Sequence, residues 1–269
     1  MNLAVVGHVE WVQFVRVEHV PAPGEIVTAL DSWEEAAGGG AVAAVQLARL
    51  AGSCTFFTVL GDDELGQRAH KQLTEQGVRV ECEFVDRPTR RGFTYVDEGG
   101  ERTITVIGEK LHPSTSHHLP WMELVRYDGV YYTAGDVSAL EAARHARVLV
   151  ATSRELAMLR RAGVVLDALV GSGEDLAERF QPGDLEPAPK LIVSTAGSLG
   201  GWTQPGGPFR AVPLPGPVSD AYGAGDSFAA CLTYALARGL ERDEALELAS
   251  RCGAAVMTGR GPYEKQLSV

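Results

Sequence analysis

The chain has 269 residues, 45% of them hydrophobic and 22% charged, a composition typical of a soluble globular protein. Its net charge is −11 and it has no run rich in lysine and arginine, which disfavours a nucleic-acid partner. The four cysteines form no C-x-x-C pair, the start lacks a basic signal region, and no apolar stretch approaches the ~20 residues of a membrane span, so we expect a cytoplasmic protein with no membrane partner.

The first strands are of two kinds. Residues 3–7 and 54–61 are apolar almost throughout, which predicts buried strands. Residues 11–16 alternate between apolar and polar side chains, so we expect a half-exposed strand there and another over 26–33. The alternating strands do not suit a buried sheet, and they predict a small accessory sheet.

Helices and further strands follow in a regular order. A helix of small residues is predicted to end at Gly52, an amphipathic helix covers 64–77, and a hairpin over 91–108 turns at Gly99-Gly100. From residue 129 onward, short apolar strands alternate with helices. This order predicts a doubly wound, mostly parallel α/β sheet with helices on both faces.

Residues 219–228, S-D-A-Y-G-A-G-D-S-F, open a helix after the last predicted strands. In a doubly wound sheet, ligands bind at such junctions. Glycines let the backbone approach an anion closely, and the first N–H groups of a helix have no partner within it. Asp226 would then lie where it can take a proton from an attacking hydroxyl, as phosphoryl transfer requires. The simpler alternative is that Asp226 only stabilises the start of the helix.

The motifs of the chain resemble those of the ribokinase-like, or PfkB, family of carbohydrate kinases over nearly its whole length. The matching segments are P-A-P-G-E at 21–25, the glycines and small-residue helix at 38–52, G-D-D-E-L-G at 61–66, S-T-A-G-S-L-G-G-W at 194–202 and D-A-Y-G-A-G-D-S-F at 220–228. The resemblance implies a single ribokinase-like kinase domain over 1–269. It also implies a small β-sheet lid formed by residues about 10–36 and 88–108.

The resemblance also assigns roles to single residues. It implies ATP and Mg²⁺ as cofactors, with K⁺ added in potassium-activated members. Asp226 would be the base, and Gly223, Ala224 and Gly225 would form the anion hole. Further implied contacts are Gly38 and Gly39 with substrate, Thr195, Gly197, Gly200, Ser172 and Gly261 with nucleotide, Asp175 with Mg²⁺ through water, and Asp220 with a monovalent cation. Apart from the resemblance, the lid residues also allow a homodimer that forms through the lid.

Three positions depart from the family pattern. Val12 stands where the family has an aspartate that grips the substrate, and Ala43 stands where it has an asparagine. The family's N-x-x-E motif appears as Ser172-x-x-Asp175, whose oxygens still suit Mg²⁺ although aspartate is one methylene shorter. Glu10 precedes Val12 by two residues, so both lie on one face of an extended segment and Glu10 can replace the missing contact with substrate hydroxyls.

Other polar residues have two interpretations. Asp136 follows a predicted strand and can either point into the cleft as a substrate ligand or cap the next helix. Trp11 and Phe14 can line a lid-mediated dimer interface, stack on a substrate ring or pack within the lid. For Arg90-Arg91 we favour a solvated strand end over closure upon an anionic substrate, and for Glu34-Glu35 we expect solvated positions.

Together these patterns predict an ATP-dependent kinase of a small hydroxyl compound, either a sugar, a sugar derivative or a nucleoside. Ribose is expected to be a poor acceptor because two polar family positions are apolar here. The alternative is a kinase-fold protein with weak catalysis that binds nucleotide or sugar for regulation. A vitamin-precursor kinase of the same superfold fits the lid strands less well.

Overall fold

Thirteen strands form two sheets within residues 1–268, the part of the chain that the computed structural model describes. In chain order the strands are β1 (Leu3–Val6), β2 (Glu10–Arg16), β3 (Asp31–Ala37), β4 (Cys54–Gly61), β5 (Val78–Val85), β6 (Arg91–Val96), β7 (Arg102–Ile107), β8 (Gly129–Tyr132), β9 (Val148–Thr152), β10 (Ala168–Ser172), β11 (Ile192–Thr195), β12 (Gly201–Gln204) and β13 (Gly207–Phe209). The helices are α1 (Gly39–Ala51), α2 (Glu64–Glu75), α3 (Val137–Ala143), α4 (Leu156–Ala162), α5 (Ala224–Ala237) and α6 (Arg242–Val256).

The large sheet has the strand order β13-β12-β11-β10-β9-β8-β1-β4-β5. The strands from β11 to β5 run parallel, and β12 and β13 continue one edge antiparallel. The predicted mostly parallel sheet is therefore confirmed. Because its parallel strands end at the same edge, the loops that follow β1, β8, β9, β10 and β11 meet there, which is where a ligand site is expected.

Helices cover both faces of this sheet and create two cores. On one face, α1, α5 and α6 pack against side chains such as Leu3 and Val5. On the other face, α3 and α4 pack against Ala4 and Val6. Successive residues of β1 thus enter opposite cores, since side chains alternate along a strand. A strand buried on both sides has to be apolar throughout, and this explains the unbroken apolar runs of the sequence.

The small sheet has the order β3-β2-β6-β7 and is the predicted lid. Its hairpin of β6 and β7 turns at Gly99-Gly100 as expected, with the Gly100 N–H donating to the Asp97 carbonyl. The strand predicted over 26–33 is wrong at its beginning. The ladder with β2 starts only at Asp31, so Ile26 has no neighbouring strand and its side chain is almost fully exposed.

The lid has an inner face toward the core and an outer face. The register places Val12 level with Glu35, Gly92 and Val106, so these four share the inner face. Glu35 was expected to be solvated, and this is wrong, because its side chain points inward and is partly buried.

The two sheets are joined by four chain crossings. One lies between β1 and β2, one between β3 and α1, one between β5 and β6, and one after β7. Among residues 1–268, no helix is both long and apolar enough to cross a membrane.

Candidate active site

The turn before α5 forms a cradle of backbone N–H groups. Gly223 caps the helix in the left-handed conformation, with φ 81°, and a Cβ there would lie 2.9 Å from Val42 and Pro262. Over Gly225 the space is open, since a Cβ would have no atom within 4 Å. Within residues 1–268 the N–H groups of Gly225 and Asp226 donate to no protein acceptor. Free donors at a helix start beside open space are suited to bind an anion such as a phosphate.

Asp226 occupies the first turn of α5 and is partly buried. Its Oδ1 lies 2.7 Å from the position that a Cβ on Gly39 would take, so only a glycine leaves room for it. Burial raises the pKa of Asp226 to about 6, and the negative charge of Glu178 adds to the shift. Arg102 and Arg154 oppose this shift with their positive charges. A carboxyl group with a pKa near 6 is both ionised and basic at pH 7.

A cluster of charged side chains lies at the carboxyl end of β10, and the N-x-x-E pattern predicted only part of it. Asp175 Oδ1 caps the short turn over 176–178 by accepting from the Ala177 N–H, and Asp175 Oδ2 lies 2.6 Å from Arg154 Nη2. Glu178 also pairs with Arg154 and accepts from the Ser172 N–H. Glu178, which the motif comparison missed, therefore pairs with the same arginine as Asp175. Its negative charge also contributes to the raised pKa of Asp226.

The two carboxylates, Asp175 and Glu178, are the type and number of protein ligands that suit a magnesium ion held partly through water. Mg²⁺ uses one or two protein carboxylates and completes its shell with water and phosphate. Burial is the main cause of the raised pKa of Asp226, and the charge of Glu178 adds to it, so the two carboxylates lie close enough to interact. The Ser172 hydroxyl accepts from the N–H groups of Glu174 and Asp175, which fixes the start of this loop.

The predicted phosphate-contact residues lie at the carboxyl end of β11. The Thr195 hydroxyl donates to the Gly171 carbonyl, which ties this strand end to β10. Gly197 and Gly200 have positive φ values of 51° and 91°, and they form the turn that leads into β12. A Cβ on Gly200 would overlap the Phe209 carbonyl. The turn is thus packed closely against the segment at Phe209, and its contact with nucleotide stays a prediction.

Asp220 is fully buried. It precedes the turn at Gly223–Asp226, whose free N–H groups we call the anion cradle. Its Oδ1 accepts from the Tyr222 N–H at 2.8 Å and its Oδ2 from the Gly261 N–H at 3.2 Å, which links the tail to the α5 turn. Glu35 lies against Gly261, and burial together with the charge of Asp220 raises the pKa of Glu35 to about 7. Both oxygens of Asp220 are thus engaged by backbone N–H groups, and its contact with a monovalent cation stays a prediction.

Gly38 and Gly39 line the cleft between Asp226 and the lid. The Gly38 N–H donates to the Tyr222 hydroxyl, and its φ of 86° requires glycine. A Cβ on Gly38 would lie 3.3 Å from Glu10 Cγ. The structure therefore brings together Glu10, the two glycines and Asp226, four of the residues that the sequence proposed for substrate binding and catalysis.

Three residues that were considered as substrate contacts have structural roles instead. Asp136 caps α3, with its Oδ1 accepting from the Ala139 N–H and from the Ser138 hydroxyl, which is the alternative that the sequence left open. Phe14 is fully buried and stacks on Trp33, and Trp11 is covered by the Arg68 guanidinium. Neither aromatic ring is free to stack on a substrate.

Several charged residues of the site were not identified from the sequence. Arg90 was expected to be solvated, and this is wrong, because its side chain is only 15% exposed and lies against Glu10. Lys110 pairs with Glu155 at the same end of the lid. Arg102 donates from β7 to the Ala221 carbonyl beside the anion cradle. The sequence offered a role for Arg90 only as the less favoured alternative, closure of Arg90-Arg91 over an anionic substrate, and it gave no signal for Lys110 or Arg102.

Comparison with known proteins gives matches to one family. A family model described as pfkB family carbohydrate kinase matches residues 1–147 and 130–268. A fructokinase of Salmonella typhimurium is 30% identical, with the match covering 86% of this chain and 90% of that protein. A ribokinase of Dictyostelium discoideum is 33% identical over 111 residues, which span 40% of this chain and only 34% of that protein.

The fold is shared with solved kinases. The crystal structure of a ribokinase from Cryptococcus neoformans in complex with ADP superposes with a TM-score of 0.76 at 22% identity. That match covers 99% of this chain and 97% of the other. With the family model matching nearly all of its residues, the chain belongs to the pfkB family of carbohydrate kinases, which carry out ATP-dependent phosphotransfer to a hydroxyl of a small acceptor.

Proposed function

We propose that Asp226 is the base of this kinase and takes the proton from the acceptor hydroxyl as it attacks the γ-phosphate of ATP. A bond forms between the acceptor oxygen and the γ-phosphorus, the bond from that phosphorus to the β,γ-bridging oxygen breaks, and ADP leaves. The observation that carries this proposal is the position of Asp226, with a pKa of about 6, beside both the anion cradle and Gly39.

The charge that develops on the phosphate is balanced by groups from both sides of the cleft. The free N–H groups at the start of α5 lie beside the open space over Gly225, and there they would stabilise the phosphate as donors do in an oxyanion hole. Arg102 from the lid and Arg154 from the core bring positive charge close enough to lower the pKa of Asp226. Mg²⁺, when bound, neutralises phosphate charge, and Glu178, Asp175 and Ser172 are the residues that would hold it, directly or through water.

For the acceptor we propose a sugar derivative rather than a nucleoside. Glu10 is the carboxylate closest to Gly38 and is placed to accept hydrogen bonds from acceptor hydroxyls. Because Trp11 and Phe14 are already packed within the protein, neither ring is available to stack on the nucleobase of a nucleoside. Val12 is fully buried and leaves the position of the family aspartate without a polar group, which supports the expectation that ribose is poor.

The experiment is a screen for ADP release with Mg²⁺ and K⁺ present, using neutral and modified sugars, polyols and nucleosides as acceptors. With the best acceptor, Asp226→Asn should reduce kcat by about 10²–10⁴-fold, the usual contribution of a positioned base. Asp243→Asn is the matched control, because Asp243 lies in the first turn of α6 with its side chain 79% exposed. Asp243→Asn should keep wild-type turnover.

Two results would contradict the assignment. More than a tenth of wild-type turnover in Asp226→Asn would remove Asp226 from the base role. Tight ATP binding without ADP release for any acceptor would instead favour the alternative of a kinase-fold protein that binds ligands for regulation.

A homodimer through the lid is part of the proposal. On the outer face of the lid, Phe93 and Tyr95 form a partly exposed edge-to-face pair. Ile107, on the same face of the edge strand β7, is 45% exposed. Light scattering should give a dimer mass that the double change Phe93→Ser and Tyr95→Ser converts to a monomer. A monomeric wild type would contradict this arrangement.

A further inference from the structure

Three of the four crossings between core and lid carry charged or titratable side chains to the same place. Glu10 Oε1 lies 3.4 Å from His8 Nε2 and 3.3 Å from Arg90 Nε. Lys110 Nζ lies 2.9 Å from Glu155 Oε1. Lys110 is also close enough that its charge lowers the pKa of both His8 and Glu10. We call these five residues the hinge cluster.

The hinge cluster borders the acceptor side of the active site. A Cβ on Gly38 would lie 3.2 Å from His8 Nε2, and a Cβ on the next residue, Gly39, would lie 2.7 Å from Asp226 Oδ1. The charge of Glu10 is also felt at Asp226, whose pKa it raises. An acceptor whose reacting hydroxyl lies at Asp226 therefore extends toward the hinge cluster.

Arg90 has donors without acceptors. Its side chain is only 15% exposed, yet none of residues 1–268 accepts a hydrogen bond from its guanidinium, and its Nε is buried. The contact with Glu10 is an ion pair without hydrogen-bond geometry. His8 Nδ1 is also buried without a partner. Buried donors are normally satisfied, so unfilled ones beside a cleft indicate that a ligand supplies the acceptor.

The other arginines of the inner lid face, Arg16 and Arg102, already donate to the carbonyl groups of Ser219 and Ala221. Val106 and Ile104 on β7 share that face with Val12 and are 46% and 43% exposed. They offer only apolar contact to an acceptor beneath the lid. Within residues 1–268, this leaves Arg90 at the hinge end as the guanidinium beside this face that donates to no protein acceptor.

We propose that the acceptor is a polyhydroxy carboxylic acid whose carboxylate is bound by Arg90 in the hinge cluster. The planar guanidinium fork matches a carboxylate with two parallel hydrogen bonds, while Glu10 accepts from acceptor hydroxyls. This inference rests on the proposed function, since it concerns the acceptor of the same phosphotransfer.

The charges of the cluster favour a carboxylate over a phosphate ester. Arg90 and Lys110 are balanced by Glu10 and Glu155, and burial lowers the pKa of His8 so that it adds no charge at pH 7. Lys110 already has Glu155 as its partner. One guanidinium with free donors suits one single negative charge, whereas a phosphate ester would bring nearly two into a mostly buried group.

The test measures binding in the Asp226→Asn background, where binding does not depend on turnover. The probes are aldonic, 3-deoxy-2-keto aldonic and uronic acids of four to six carbons, each paired with its neutral aldose and with the corresponding sugar phosphate. By calorimetry, at least one acid should bind at least about tenfold more tightly than both of its partners. Arg90→Gln should remove this preference, Arg90→Lys should keep part of it, and the exposed neighbour Arg91→Gln is the control that should leave it unchanged.

Unaltered ATP affinity and melting temperature show that the Arg90 variants are folded. The inference is overturned if no acid binds more tightly than its neutral partner, if a sugar phosphate binds most tightly, or if Arg90→Gln and Arg91→Gln behave alike. Failure of the proposed function looks different, because the wild type would then bind the acid in the presence of ATP and release no ADP.

Discussion

The two sides of the cleft that we propose for phosphate and for acceptor, called here the phosphate side and the acceptor side, are built from different chemical groups. The phosphate side consists of backbone turns, at Gly223–Asp226 before α5 and at Gly197–Gly200 after β11, and its conformation depends on glycine. The acceptor side consists of charged side chains that three separate crossings bring to the lid hinge.

This difference determines which side can accept new residues without a change in the main chain. A backbone cradle recognises the phosphate that every substrate of the reaction shares, and replacing its glycines would block it. Side chains at the hinge can be exchanged without altering the main chain, so they can follow the acceptor. We therefore expect changes on the phosphate side to affect every acceptor alike and changes on the acceptor side to alter the choice among acceptors.

The largest expected effect comes from restoring the family aspartate on the acceptor side. Val12 is fully buried, and its methyl groups lie against Gly92. Val12→Asp would bury a carboxylate without a partner, so the free energy of unfolding should fall by about 3–5 kcal/mol. Gln13→Asp, one residue on and exposed, should change it by about 1 kcal/mol or less. Urea denaturation measures both, and a stable Val12→Asp that gains ribose kinase activity would show that the lid readily accommodates the family residue.

A smaller effect is expected where the two sides meet. In Gly39→Ala the new Cβ would lie 2.7 Å from Asp226 Oδ1, and the carboxylate, at the end of a flexible side chain, would have to move. Turnover should fall by about 10²-fold for every acceptor, because a displacement near 1 Å is enough for such a loss. The measurement is kcat over several acceptors, with Gly99→Ala in the exposed lid turn as the control. A loss confined to one acceptor would contradict the division between the two sides.

The third prediction concerns the pKa of Asp226, which is about 6 in the folded protein and 3.8 in the reference state. Since the folded value is raised, the contribution of this carboxyl group to stability is fully present below about pH 4 and is lost as the pH rises through 6. Asp226→Asn should therefore match wild-type stability at pH 4 and exceed it by about 1–2 kcal/mol at pH 8, after allowance for the exposed part of the side chain.

Denaturation of both proteins at the two pH values measures this difference without nucleotide. In the wild type, kcat/KM should also fall as the pH drops through 6, because the base becomes protonated. An equal stability difference at both pH values would mean that Asp226 titrates normally in the fold.

The same division explains how much could be predicted from sequence. The parallel sheet, the lid hairpin and the α5 turn follow from local patterns, namely unbroken apolar strands, alternation and glycines at fixed spacing. Arg90, Lys110 and Glu178 could not be placed that way, because their partners are distant in the chain or depend on how the lid meets the core. Glu34 and Glu35 show what local sequence patterns cannot predict. The register of β3 places the side chain of Glu34 on the outer face of the lid and that of Glu35 on the inner face.

The smallest expected effect concerns the cation behind the phosphate side. Asp220 is fully buried, and its two oxygens already accept from Tyr222 and Gly261, so it holds the α5 turn whether or not a cation is bound. A bound K⁺ would add stability to a turn that is already formed, and we expect it to raise kcat only a few-fold over Na⁺ or Tris, worth about 1 kcal/mol. The measurement is the rate in each salt at equal ionic strength, after removal of ammonium. Asp220→Asn should abolish the difference between K⁺ and Na⁺ for every acceptor alike. If the cation instead changes the ranking of acceptors, it acts through the lid residue Glu35 as well, and the two sides of the cleft are not independent.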